Sequence, residues 1–190
     1  MLTIALPKGR LQKLALERFA KAGIVPDEEP GVSRKLIIAA GPAARFVVLK
    51  DGDVPLYVER GAADLGVCGI DQVLESAADL LTPVDFGFGR CRLCLAAPRG
   101  RSVTAELGRS LRVATKFPRL SSQWFLRRGV PVDLVHLSGS VELAAVSGLT
   151  DAIVDLVESG RTLEENGLVV NRASYRLKVE ELLPLLEKLG

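Results

Sequence analysis

The chain has 190 residues, 48% of them hydrophobic, enough to bury one substantial core or two small ones. Its 25 basic and 23 acidic residues nearly cancel, which excludes bulk attraction to nucleic acid or to a membrane surface and leaves basic side chains to act locally. No basic stretch followed by a long apolar run opens the sequence, so secretion and membrane insertion are not expected and a cytoplasmic protein is.

Short β-rich runs alternate with helical patterns, which predicts α/β layers with largely parallel sheets. Residues 2–6 read as a strand. Leu11, Leu14, Ala15, Phe19 and Ala22 form one face of a helix over 11–22 that stops at Gly23. Strands follow over 35–40 and 45–49, and Asp53 with Pro55 marks the start of a helix ending near Gly61. A buried strand over 65–68 precedes a helix over 71–77. Later strands fall at 92–97, 111–114, 132–137 and 152–157, with helices at 118–128 and 141–146. Residues 178–189 close the chain as a helix, acidic early, with Lys188 late and an apolar face of Leu182, Leu183, Leu185, Leu186 and Leu189.

Three cysteines and one histidine invite a metal or redox reading. Cys91 and Cys94 have the spacing, but on a strand positions three apart face opposite sides, and a structural zinc needs four ligands. Cys68 stands alone, and His136 lies in an apolar strand. Core packing is the expectation for all four, and no metal site is assigned.

The most informative stretch runs from Asp151 to Leu163. Alternation puts Ile153, Asp155 and Val157 on one face of a strand, so Asp155 sits among apolar neighbours. A half-buried carboxylate needs hydrogen-bond donors, and the hydroxyls of a ribose suit it near a strand's carboxyl end. Gly160 lets successive backbone N–H groups converge on an anion, Ser159 and Thr162 add hydroxyls, and Arg161 either adds charge or points to solvent. A helical turn over 163–166 would add a favourable dipole. An ordinary strand, a Ser-Gly turn and a capped helix would share these local features.

The run Glu142-Leu-Ala-Ala-Val-Ser-Gly148-Leu-Thr150-Asp-Ala-Ile-Val-Asp155-Leu-Val-Glu-Ser159-Gly160-Arg-Thr162-Leu163 resembles the signature of ATP phosphoribosyltransferase, the first enzyme of histidine biosynthesis. Thr150 departs from it, standing where that family carries Ala, Ser or Gly. The resemblance extends through Leu6-Pro-Lys8-Gly9-Arg10-Leu11, Ser33-Arg34-Lys35-Leu36, the segment from Asp53 to Gly66, Arg112-Val-Ala-Thr-Lys116-Phe-Pro118 and Gly139-Ser-Val-Glu-Leu143, and so covers most of the chain. A second departure follows Asn166-Gly167-Leu168, where Asn171-Arg-Ala-Ser-Tyr175 arrives almost at once while related chains carry a longer insert.

The resemblance implies a two-lobed α/β fold like that of type II periplasmic binding proteins, with the ligand cleft between lobes. The first lobe would comprise residues 1–92 and 169–190, and the second, phosphoribosyl-binding lobe residues 93–168. The implied reaction joins N1 of ATP to C1 of 5-phosphoribosyl-1-pyrophosphate and releases pyrophosphate, with Mg²⁺ carried by the substrates. Arg10, Arg34 and Lys8 match basic positions at the pyrophosphate. Asp151, Asp155, Glu158, Ser159, Gly160, Arg161 and Thr162 would hold the phosphoribosyl group, and Gly9, Lys50, Asp53, Tyr57 and Asp71 would line the ATP end. Asp53 and Tyr57 have simpler readings as a cap and a packing residue, and Ile70 replaces the Lys that commonly precedes Asp71. Glu142 either orients the sugar and its phosphate loop or completes a helix's first turn. No residue must act as a general base.

A 190-residue chain resembles the family's short form, which lacks the C-terminal regulatory domain and works with a separate regulatory subunit similar to histidyl-tRNA synthetase. A homodimer within a hetero-oligomer is implied. A small-ligand sensor of the same fold, or a phosphoribosyltransferase with another acceptor, are the alternatives. A P-loop ATPase is disfavoured because Gly-x-x-x-x-Gly-Lys-Ser/Thr is missing from the sequence.

Overall fold

The computed structural model describes residues 1–31, 34–101, 103 and 109–170, and the backbone of 176–177. The chain forms two compact units, Met1–Gly89 and Arg90–Gly190.

In the first unit, β1 (Leu2–Pro7), α1 (Arg10–Lys21), β2 (Ile37–Ala40), β3 (Ala44–Leu49), α2 (Val54–Glu59), β4 (Leu65–Gly66) and α3 (Ile70–Ser76) follow in order. The sheet order is β2-β3-β1-β4, with β1 parallel to β3 and β4, and β2 antiparallel to β3. Alternation along β1 sends Ile4 and Leu6 to a core with Ala15 of α1, Phe46 and Val67, while Ala5 packs on the other face with Val54 and Ala63. The aromatic end of that first core is an edge-on pair, Phe19 and Phe46, with ring centroids 5.6 Å apart. Each fully buried side chain of the Ile4, Leu6 and Phe46 class contributes about 1.5–3 kcal/mol. The expected strand over 65–68 shrinks to β4, whose two residues are exposed, because it pairs only with β1 at the sheet's edge.

The second unit carries β5 (Arg92–Pro98), β6 (Leu111–Thr115), α4 (Pro118–Arg127), β7 (Val132–His136), α5 (Val141–Val146), β8 (Ala152–Val157), α6 (Arg161–Glu165), β9 (Leu168–Val170) and β10 (Arg176–Leu177). Its sheet runs β10-β5-β8-β6-β7, with β9 also on β5. Strands β8, β6 and β7 are mutually parallel, whereas β5 is antiparallel to β8, β9 and β10. Cys94, Ala96, Ala114, Ile153 and Val157 build one core face, closed by Val141, Ala144 and Ala145 of α5 and by Leu163 of α6. Thr150, the departure in the signature, is fully buried, and its hydroxyl donates to the Ala152 carbonyl at 3.0 Å, which satisfies the extra polar group.

The two-lobed α/β expectation is met as two α/β units, each with its own mixed sheet. The division falls at Gly89 rather than after residue 92, because β5 begins at Arg92 and belongs wholly to the second sheet. The described parts of the segment expected to return to the first lobe, Val169, Val170 and the backbone of Arg176–Leu177, pair instead with β5. The expected helix over 178–189 lies outside the described residues.

Candidate functional site

In the first unit, β1 and β3 end together. The Lys8 amide donates to the Leu49 carbonyl at 3.1 Å, so the Lys8-Gly9-Arg10 turn lies beside the Lys50 that follows β3. Gly9 takes φ +90°, a left-handed geometry that suits glycine, and α1 starts at the next residue. Because β2 is antiparallel to β3 and pairs Ile37 with Val47, the chain just before β2, including Arg34, reaches that same edge. Lys8, Gly9, Arg10, Arg34 and Lys50 are all exposed there.

The acids of this edge behave differently from one another. Asp53 precedes α2 without making a side-chain cap bond and is exposed, so the capping role is not realised. Tyr57 is 38% exposed on α2. Asp71 is buried to 4% exposure, accepts from Gln72 Nε2 at 2.7 Å, and is pushed above the usual carboxylate range chiefly by burial. Gly69 makes room for it, since a Cβ there would collide with the Asp71 carboxylate. Asp51, which the sequence reading passed over, is raised to about 6 by burial and then by Asp71, with the Gly69 N–H opposing. Its Oδ1 is buried without a hydrogen-bond partner. The Cys68 thiol is pushed up to about 12 by burial, Asp51 and Asp71, which suits a packing role.

In the second unit, the carboxyl ends of the parallel strands β6 and β8 place Lys116 and Asp155 side by side, the pair next in register after Thr115 and Val154. Lys116 Nζ lies 3.8 Å from Asp155 Oδ2, and the Leu156 N–H donates to Asp155 Oδ1 at 2.9 Å. Burial raises the Asp155 carboxyl above its usual range; Lys116 and the Leu156 N–H pull it back, and Glu142 pushes it up again. Glu142 is half-buried in the first turn of α5, just after Ser140, which is held at φ +49°, an uncommon geometry for a side-chain-bearing residue and one that clusters at functional sites.

Beyond β8, Glu158, Ser159, Arg161 and Thr162 are exposed around Gly160, which takes φ +86° and opens α6. The first amides of a helix have no carbonyl partner within it and so face outward as donors. The Arg161 N–H makes only a long 3.4 Å contact to Ser159 Oγ. Arg161's guanidinium is taken by Glu165 at 2.9 Å, which turns it along the helix surface rather than over the loop.

Asp151 does not join this group. It precedes β8, at the opposite end of the strand from Ser159, and its carboxylate accepts from Arg112 Nη2 at 2.9 Å, Arg112 Nε at 3.3 Å, the Arg112 N–H at 3.1 Å and Arg109 Nη2 at 3.2 Å. The Arg112 hydrogen bonds hold it below the usual carboxylate range. His136, expected in the core, ends the edge strand β7 exposed, while Cys94 is buried as expected. Lys116, like Asp51, is a residue the sequence reading missed. Its signal was present in Thr115-Lys116-Phe117-Pro118, a strand end followed at once by a proline-started helix.

Polar and charged groups gather at the carboxyl ends of parallel strands, the place where open α/β proteins as a class bind their ligands. A family model described as ATP phosphoribosyltransferase matches residues 50–181. An ATP phosphoribosyltransferase of Moorella thermoacetica is 43% identical over 209 aligned positions, covering 100% of this chain and 92% of that protein. Another from Caldanaerobacter subterraneus is 45% identical over 203 positions, covering 100% and 96%. The solved ATP phosphoribosyl transferase (HisG:HisZ) complex from Thermotoga maritima contains a chain 32% identical, with TM-score 0.79 and coverage of 100% and 93%. The chain belongs to the ATP phosphoribosyltransferase family.

Proposed function

We propose that this chain catalyses the first step of histidine biosynthesis, joining N1 of the adenine of ATP to C1 of 5-phosphoribosyl-1-pyrophosphate. The N1–C1 bond forms as the C1–O bond breaks, and the electron pair of the broken bond leaves with pyrophosphate. The observation that carries the reading is Asp155 in the carboxyl half of β8, with one Oδ1 bond to the Leu156 N–H and a long contact to Lys116, a few residues before the positive-φ Gly160 loop. Such a carboxylate retains lone pairs for the ribose hydroxyls, while Ser159, Gly160, Thr162 and the outward amides of α6 suit the 5-phosphate.

Arg10, Arg34 and Lys8 would hold the pyrophosphate, where guanidinium forks stabilise the charge that grows on the leaving group. Gly9, Lys50, Tyr57 and Asp71 would serve ATP, with Asp53 as an exposed acid beside them. An adenine nitrogen is a weak nucleophile, so orientation carries much of the rate, up to about 7–11 kcal/mol in favourable systems. Mg²⁺ would arrive with the substrates, held by their phosphates, where it neutralises their charge.

The Thermotoga complex pairs HisG with HisZ, and we extend that arrangement to this chain: a dimer of these chains with a HisZ-like regulatory partner. Among the described residues no helix is long and apolar enough to cross a membrane. The test mixes the chain, with and without such a partner, with ATP, 5-phosphoribosyl-1-pyrophosphate, Mg²⁺ and pyrophosphatase, and looks for phosphoribosyl-ATP by mass spectrometry. Product should form, and Arg34→Ala should lower turnover at least about tenfold while leaving ATP affinity within about threefold. Absence of product with the partner present would refute the reading.

A further inference from the structure

We propose that Lys116 is a positioning residue for the phosphoribosyl half of the reaction, its ammonium keeping the Asp155 side chain charged and oriented as an acceptor for the sugar hydroxyls. This inference rests on the phosphoribosyl reading of the site given above.

The geometry begins with the register of β6 against β8, which pairs Ala114 with Ile153 and Thr115 with Val154, so that Lys116 follows beside Asp155. Alternation then puts both on the face that carries Ala114 and Ile153 under α5. Asp155 keeps only 11% of its side chain exposed, whereas Lys116 keeps 39% and retains its freedom to bend. Their 3.8 Å separation is an ionic contact longer than a good hydrogen bond, so the ammonium supplies charge without consuming every lone pair of the carboxylate.

The surroundings show why such a charge is needed. From β5, the residue opposite Asp155 is the buried thiol of Cys94, which carries no compensating charge. From α5, Glu142 contributes a second negative charge, and it acts on Asp155 in the unfavourable direction. From α6, the guanidinium of Arg161 is committed to Glu165. Lys116 is thus the cation that acts on Asp155 among the described residues. A buried carboxylate beside another acid takes up a proton unless a cation opposes it, and a protonated Asp155 would accept fewer hydrogen bonds from a sugar. The assignment differs from a simple phosphate contact, in which Lys116 would act on the substrate's charge and its loss would weigh at least as much at the alkaline end, where the phosphate is a dianion, as at the acidic end.

The test compares wild type with Lys116→Met, Lys116→Gln and Lys116→Arg. The Asp155 carboxyl carbon is followed by NMR in the full chain and assigned with Asp155→Asn, and kcat/KM for 5-phosphoribosyl-1-pyrophosphate is taken from about pH 5 to 9 with the HisZ-like partner present. In the two neutral variants Asp155 should titrate at higher pH than in wild type. Their kcat/KM should fall about tenfold at the acidic end and return to within about threefold at the alkaline end, and Lys116→Arg should follow wild type. An unchanged Asp155 titration, or a loss at alkaline pH as large as or larger than that at acidic pH, overturns the proposal. If wild type itself yields no phosphoribosyl-ATP, the functional reading fails, and the carboxyl titration alone still decides whether Lys116 governs Asp155.

Discussion

Toward its two ends β8 sets the same residue type in opposite surroundings. At the amino end Asp151 is saturated, with four donors from Arg112 and Arg109 on its two oxygens and its carboxyl held low. At the carboxyl end Asp155 is more buried in its electrostatic surroundings, faces a second acid, and meets one distant ammonium and one backbone N–H. A carboxylate whose partners are all intramolecular stabilises the fold; one left with open acceptor sites at a strand's carboxyl end is available to a ligand. The acids of the first unit extend the contrast, since Asp51 has an orphaned buried oxygen and, among the described residues, no cation acting to lower it.

The largest effect expected from breaking this contrast is at Asp155. Asp155→Asn should lower kcat/KM for 5-phosphoribosyl-1-pyrophosphate at least about hundredfold, the loss of charged hydrogen bonds to the sugar. Stability should move the other way. A carboxyl whose folded pKa lies above its unfolded value contributes stability at low pH that is lost as pH rises through the folded value, so at neutral pH the ionised group is a net cost and the Asn variant should resist urea as well as wild type or better.

Gly160→Val should come next. An added Cβ would meet only Val157 Cγ1, at 3.8 Å, so the loop has room; the cost comes from forcing φ +86° on a branched residue, about 1–2 kcal/mol. Calorimetry should show sugar-phosphate binding weakened about tenfold, and an unchanged affinity would place the anion elsewhere. At Asp51 the expected change is a gain. Its folded value of about 6 exceeds the usual 3.8, so wild type loses stability between those pH values, and Asp51→Asn should be more stable by about 1–2 kcal/mol at pH 8 while matching wild type near pH 4. The smallest effect is reserved for Asp151→Ala. It should cost about 1 kcal/mol at neutral pH, because this lowered carboxyl contributes stability above its ordinary range, and the difference should close as pH falls through the folded value. Turnover should stay within about twofold of wild type.

Much of this was legible in the sequence. Alternation located β8 and the helical pattern located α5 to the residue, and Gly23 marked the end of α1, because those signals are local. Position within a sheet is not local. Nothing in Leu65-Gly66-Val67-Cys68 reveals that β4 pairs along only two residues at an edge, and nothing in Val132 to His136 reveals that β7 is an edge strand that leaves His136 exposed. The same limit governed the site. Asp151 and Asp155 look equivalent in one dimension, and only the pairing of β6 with β8 reveals that Arg112 sits at one end and Lys116 at the other. Asp51 was passed over because its character comes from burial beside Asp71, twenty positions later in the chain.

The most direct test of the account is a calorimetric titration of 5-phosphoribosyl-1-pyrophosphate into Asp155→Asn and Asp151→Asn side by side. Asp155→Asn should bind at least about tenfold more weakly than wild type while Asp151→Asn binds as wild type does. Tight binding by Asp155→Asn together with lost binding by Asp151→Asn would contradict it and move the sugar to the other end of the strand.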